Sequence, residues 1–294
     1  KFPLNVTEIG DEAFLNYGAS STNAGDLALP SGLTSIGKKA FSGAKLKGNL
    51  VIPSSVAFMG DSAFQSAYAD TDKSNMGMLS FENGSKLTSI PAYAFDKCLA
   101  FKGSIVIPEG VTSIGQYAFE KCSGMDGTLS LPSGLETIGN YAFSECSKLT
   151  GGITLPDTLT QLGTYTFNKC SNINGELVLS KNLKNIPQAA FSNCSSMIGS
   201  VDIPEGVQKI NANAFQGCSS LNGTLTIPET VDTIGAYAFD QCSLLTGTLT
   251  IPGKVTNVSN YAFDACSGFD ALKLSDSITT IGNYAFADCD GFKN

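Results

Sequence analysis

The sequence predicts a β-rich repeat solenoid, with short strands and a single helical turn in each copy of a unit of about 24 residues. Three observations predict it. A phenylalanine recurs at positions 14, 41, 64, 95, 119, 143, 167, 191, 215, 239, 263 and 286. From Phe95 to Phe263 the spacing is 24 for seven intervals, and the last is 23. Aliphatic residues stand eight and five positions before the anchor throughout, as at Val255 and Val258 before Phe263. A unit this short cannot bury its apolar face alone, so copies must stack, each touching its neighbours. About twelve rungs result.

Each element of the repeat has a reason. In Leu225-Thr-Ile227 apolar and polar residues alternate, the period of a half-buried strand. Pro228 follows, and prolines stand there at 30, 53, 108, 132, 156, 204 and 252 as well. Proline has no N–H for a ladder, so it marks where the strand ends. The V-x-x-I segment, Val231 to Ile234 in this copy, reads as a second short strand or a bend. In Tyr237-Ala-Phe-Asp-Gln-Cys242 the spacing of three places Phe239 and Cys242 on one side of a helical turn. Glycine closes V-x-x-I at 10, 37, 60, 115, 139, 163, 235 and 282, but Pro91 and Pro187 replace it. Proline cannot adopt positive φ, so this column serves close packing rather than a left-handed turn.

The chain has 294 residues, 42% hydrophobic and only 15% charged, without Trp or His. Disorder needs the opposite balance. The repeat runs without a break in composition, so residues 1–294 read as one solenoid domain. The irregularity is an insertion at about 65–86, polar and acidic over Gln65–Met76, expected as a surface loop. Asp70 and Asp72 there fall short of the oxygens that calcium needs. The first residues, Lys1 to Asn5, open inside a repeat, so the chain is expected to be a piece of a longer protein.

The net charge of −8 argues against nucleic acid, which calls for Lys/Arg clusters. No apolar run approaches the ~18 residues of a membrane span. Nine cysteines stand at 98, 122, 146, 170, 194, 218, 242, 266 and 289, each three after an anchor Phe. One per rung in a single column is a buried ladder of small apolar side chains. Tyr17, Ala44 and Ala67 fill that column in the first copies, which a disulfide framework would not tolerate. With no His and no C-x-x-C pair, a zinc site is not expected, nor any other metal or cofactor.

The consensus P-x-x-V-x-x-I-G-x-Y-A-F-x-x-C-S-x-L-x-G-x-L-x-I-P resembles the BspA-like branch of leucine-rich repeat proteins, from Phe2 to Cys289. It departs from the general leucine-rich pattern in lacking an Asn ladder after the strand. Most copies also carry an extra glycine before L-x-I, at 127, 151, 175, 199, 223 and 247. The resemblance implies a leucine-rich-repeat-like fold, a cell-surface or secreted location, and adhesion to an extracellular protein or glycan of a host or neighbouring cell. It carries over no binding residues, because the shared motif is core.

No held acid, base or nucleophile is visible, so an enzyme is not expected. Solenoids bind on their strand face. Its outward positions here are Thr128, Ser130, Thr154, Glu176, Val178, Asp202, Thr224, Thr226, Thr248 and Thr250. They are candidate ligand contacts, although Thr also suits a half-exposed strand for its own sake. A second candidate is the aromatic column Tyr93, Tyr117, Tyr141, Tyr165, Tyr237, Tyr261 and Tyr284. It is either a platform for protein or sugar or a seal on the edge of the core. Adhesion and a spacer that holds another domain off the cell wall are the two functions left. Glu176, Asp202 and Lys273 break the Thr/Ser monotony and favour adhesion.

Overall fold

The structure, a computed structural model, describes residues 2–19, 25–70, 72 and 76–293. The chain divides into two compact units, Lys1–Thr150 and Gly151–Asn294. Each is a β-solenoid built on six of the anchor phenylalanines. Thr71 and Lys73 to Asn75, in the insertion, lie outside the described residues.

The anchors form the spine of each unit. Phe95, Phe119 and Phe143 stack 5.2–5.3 Å apart in the first. Phe191, Phe215, Phe239 and Phe263 stack at 5.2–5.3 Å in the second. All seven rings are fully buried. The spacing is one rung, so every ring packs against its own copies above and below. Around the rings lie the repeated aliphatics, such as Val207, Ile210 and Leu221, each essentially inaccessible.

The V-x-x-I segment is a strand, and it makes the regular parallel ladder. In the first unit Ser89–Ile90, Ser113–Ile114 and Thr137–Ile138 pair in order. In the second, five strands from Asn185–Ile186 to Thr280–Ile281 do the same. The residue after the L-x-I strand closes a four-residue turn into it. Pro108, Pro204 and Pro228 accept, for example, from the amides of Val111, Val207 and Val231 at 3.0–3.1 Å.

The expected helical turn is not there: among the described residues the repeat holds no helix. The Y-A-F-x-x-C segment is a run of overlapping turns instead. Cys122 donates its amide to the Phe119 carbonyl three residues back, at 3.1 Å. The amides of Tyr117, Phe119 and Lys121 leave the rung and bind the carbonyls of Asn140, Ala142 and Ser144 in the next. Tyr117 and Lys121 sit at φ 57° and 58°, as do their equivalents in nearly every rung. Positive φ at the third residue is the pattern of a type II turn. Spacing of three suits a β-turn as well as a helix, and the inter-rung hydrogen bonds decide for the turn.

The glycine column after V-x-x-I packs closely against the preceding rung at 37, 60, 115, 139, 235 and 282. A Cβ on Gly139 would sit 2.4 Å from the Gln116 nitrogen of the preceding rung. None of the glycines in this column is at positive φ.

The insertion contributes to the core. Tyr68 is fully buried, its ring 4.4 Å from that of Phe101, and Gly77–Phe81 is the longest strand among the described residues. Gly77–Phe81 pairs with Leu50–Ile52 on one side and Phe101–Lys102 on the other.

Candidate functional site

From Ile105 on, the strands of this face are organised in twos. Ile105–Val106 pairs with Leu129–Ser130 in the first unit. In the second, Ile153–Thr154 pairs with Leu177–Val178, Val201–Asp202 with Leu225–Thr226, and Thr248–Thr250 with Ala271–Lys273. Leu177–Val178 and Val201–Asp202 belong to separate sheets, although they are consecutive rungs. This grouping is not foreseen from the repeat, yet the sequence holds its signal. Before the extra glycine stand Asp126, Asn174 and Asn222 in alternate copies, with Thr150, Ile198 and Thr246 between. The Asp126, Asn174 and Asn222 side chains accept from the amides of Gly103, Gly151 and Gly199, at 2.8–3.0 Å. Those three glycines stand at φ 79–91°, which a side chain would strain.

The ten outward positions proposed on this face are all exposed. Their inward neighbours Ile153, Leu177, Val201, Leu225 and Leu249 are buried, as strand alternation requires. Hydroxyls pair along the rim: Ser104 with Thr128 at 3.3 Å, and Ser200 with Thr224 at 3.4 Å. The column continues beyond those ten. Val51, Val106 and the laterally placed Met78 are also exposed, Val106 at 60%. They lie in or near the less regular copies, which is why a reading of the regular copies passes over them.

Where the sheet of Ile153–Thr154 and Leu177–Val178 parts from that of Val201–Asp202 and Leu225–Thr226, a groove of about 510 Å³ opens. Its walls are Glu176, Val178 and Leu179 on one side and Ser200, Asp202 and Glu205 on the other. A cavity of about 230 Å³ occurs in the first unit, between Phe81–Gly84 and Val106–Gly110. Both lie where the strand-face segments of consecutive rungs belong to separate sheets.

The tyrosine column is a second ordered array. Tyr93, Tyr117 and Tyr141 stack face to face at 4.7 and 4.8 Å, and Tyr237, Tyr261 and Tyr284 at 4.6 and 4.8 Å. Ring faces are spent on neighbouring rings, which leaves edges and hydroxyls toward solvent. Desolvation, and then the adjoining tyrosine, push the Tyr117 and Tyr261 hydroxyls above their ordinary pKa. Tyr165 accepts from Gln188 Nε2 at 3.2 Å.

The nine cysteines are buried thiols, none in a disulfide. They also do something that the sequence did not disclose. Cys218 Sγ donates to the carbonyl of Phe191, the anchor of the rung before, at 3.0 Å. Cys98, Cys122, Cys146, Cys194, Cys242, Cys266 and Cys289 repeat the contact at 3.0–3.2 Å. Burial pushes the Cys146 and Cys218 thiols up to about 12, far from any nucleophilic or metal-binding form. Among the described residues no group of three or more His, Cys, Asp or Glu is placed to hold a metal ion.

Comparison with known proteins places this geometry. The BspA type Leucine rich repeat region, in six copies, matches residues 1–70, 88–222 and 222–294. The chain belongs to that family. As a BspA-type leucine-rich repeat protein it is similar to a leucine-rich repeat protein of Bacteroides ovatus. That likeness has a TM-score of 0.75 and 26% identity, over 100% of this chain and 70% of the other. A leucine rich cell surface protein of Faecalibacterium prausnitzii matches at 24% identity and TM-score 0.53, over 98% of this chain and 82% of its own. The pneumococcal vaccine antigen PcpA does so at 20% and 0.56, over 97% and 79%. These last two likenesses show the fold. No curated protein matches the sequence. Among the described residues no helix is long and apolar enough to cross a membrane.

Proposed function

We propose that this BspA-type protein is a non-enzymatic adhesion module, carried on a cell surface or secreted, that grips an extracellular protein or glycan through its strand face. The observation that carries the reading is the exposed column itself. Small hydroxylic side chains are interrupted by Val106, Val178, Glu176, Asp202 and Lys273, so the face differs from rung to rung. A spacer has no use for such a pattern and would repeat one residue. The cell-surface protein of Faecalibacterium prausnitzii supports the location by analogy. Chemistry is carried by no part of the face: its thiols are buried, it holds no histidine, and its carboxylates stand on open strands. The site residues proposed are the ten outward positions of the strand face, with the tyrosine column as a lesser candidate.

The experiment is a screen of the chain against extracellular-matrix proteins and glycans, followed by two triple variants. Thr154→Lys, Val178→Lys and Thr226→Lys together put three charges on the strand face. Gln161→Lys, Asn185→Lys and Thr233→Lys put three on the opposite ladder. The first set is expected to abolish capture of the ligand, with circular dichroism unchanged, and the second to leave it intact. Loss in the second set alone would move the site off the strand face.

A further inference from the structure

The groove between Leu177–Val178 and Val201–Asp202 has the chemistry of a subsite. Four features meet there. Its floor and walls are strand backbone with unspent hydrogen-bonding capacity. Ile153 and Leu155 donate to the carbonyls of Glu176 and Val178 in the neighbouring strand. Successive residues of a parallel strand point their amides to opposite sides, so those of Leu177 and Leu179 face the groove. By the same alternation Asp202 faces it from the other wall, since Val201 and Ile203 donate outward to Thr224 and Thr226. No strand pairing joins the two walls.

The groove is also anionic. Glu176, Asp202 and Glu205 line it and are exposed. Lys181 lines one end as the groove's cation, its ammonium 3.1 Å from Asp157 of the preceding rung, so the three carboxylates outnumber it. Glu176 lies across the opening, its Cγ about 3.0 Å from where a Cβ of Gly199 would stand. That glycine is in the left-handed region, fixed by Asn222, and its lack of a side chain leaves the Glu176 carboxylate its place. The third feature is shape. The gap runs between two consecutive rungs, with one strand edge along each side. The fourth is Val178, 51% exposed on the rim, an apolar rest for a methylene stem.

We infer that this groove receives an arginine side chain from an extended segment of a partner protein. A guanidinium is planar and presents five N–H donors, for which the groove offers the Leu177 and Asp202 carbonyls, turned the same way as their own amides, and the Glu176 and Asp202 carboxylates. An ammonium has the charge but not the plane. The flanking residues of the partner lie over the outward side chains of the strand face, on either side of the groove. The inference rests on the strand face as the binding surface and names the partner chemistry at one place in it. Two acidic rims around a groove give specificity and approach rate more than affinity, so a single arginine binds weakly.

The test is an amide chemical-shift titration of the whole chain with the capped peptide Gly-Thr-Arg-Thr-Gly, beside its Lys and citrulline counterparts. Shifts are expected at the amides of Leu177, Leu179 and Asp202, with citrulline about tenfold weaker and Lys intermediate, as loss of a charge-assisted fork implies. Asp202→Asn with Glu176→Gln is expected to weaken the Arg peptide about tenfold, and Asp232→Asn, on the opposite ladder, to change nothing. Equal binding of the Arg and Lys peptides, indifference to the double variant, or no shifts at any soluble concentration would overturn the inference. So would a neutral oligosaccharide that moves the same three amides. The two readings fail separately. If the peptide is silent while the Lys variants of the strand face still abolish ligand capture, the groove falls and the face stands. If the peptide shifts the groove but the Lys variants leave capture intact, the groove stands and the proposed adhesive face falls.

Discussion

Cysteine and phenylalanine do joint duty in each rung. The Phe191 carbonyl accepts from the amide of Cys194 in its own rung, at 3.2 Å, and from the thiol of Cys218 in the next, at 3.0 Å. A carbonyl has two lone pairs, and here both are used, so a buried polar group is satisfied on the core side. Deleting the ring removes a fully buried aromatic that is stacked on both faces. Phe191→Ala is therefore expected to cost about 3–5 kcal/mol in denaturant unfolding. Val178→Thr, outward on the strand, should fall within about 0.5 kcal/mol of the parent. Equal shifts in the two would refute the inside/outside assignment. The thiols also set a pH dependence. Burial lifts Cys98, Cys146 and Cys218 from 9.0 to about 12, so the folded chain keeps protons that the unfolded chain gives up. Their contribution is complete below the unfolded pKa and is lost as pH rises from about 9 toward 12. The melting temperature should fall over that window. Replacing Cys146 and Cys218 by Ala should flatten the slope, and an unchanged slope would assign it to other groups.

At the scale of the element, the repeat is easier to read than the pairing of its strands. Apolar columns at fixed offsets specify what is inside, because burial acts on each rung alike; Val207, Ile210 and Phe215 fall where the period puts them. The helical turn was misread because Phe-x-x-Cys satisfies two geometries. Only hydrogen bonds to the next rung, such as Phe215 to Ala238 at 2.8 Å, tell them apart. The grouping of strand-face rungs in twos was hidden for a different reason. It depends on one side chain, Asp or Asn before glycine, in a column where other copies hold Thr or Ile. The outward residues of the face were legible, since alternation is local. The groove was not, since it arises where hydrogen bonds are absent. Native-state hydrogen exchange tests this arrangement. The amides of Leu177 and Leu179, which face the groove, should exchange at least about tenfold faster than those of Ile153 and Leu155, whose donors are engaged. Asn222→Ala should cost about 1 kcal/mol and speed exchange at Gly199, by removing that amide's acceptor. Uniform protection along the face would mean that the rungs pair continuously in solution.

For the molecule as a whole, the character of the face sets how it can hold a partner. Tight interfaces depend on a few buried aromatic or arginine anchors. The strand face offers Thr, Ser, Val and scattered carboxylates, and the tyrosines spend their ring faces on one another. One copy on one ligand should therefore bind weakly, and strength has to come from number. A net charge of −8 adds a repulsion between copies that ordinary salt screens within about 10 Å. Displayed at high density, the same chain should then hold a multivalent surface about 10²–10⁴ times more strongly than one copy holds one site. The comparison is direct: biolayer measurements of the screened ligand against the chain at low density and against the chain clustered on a tetravalent carrier. Slow release from the cluster only, abolished by the three strand-face lysines, is the expected result. Nanomolar binding by a single copy would show that the face conceals an anchor, and a constant off-rate at every density would show that it does not act by repetition.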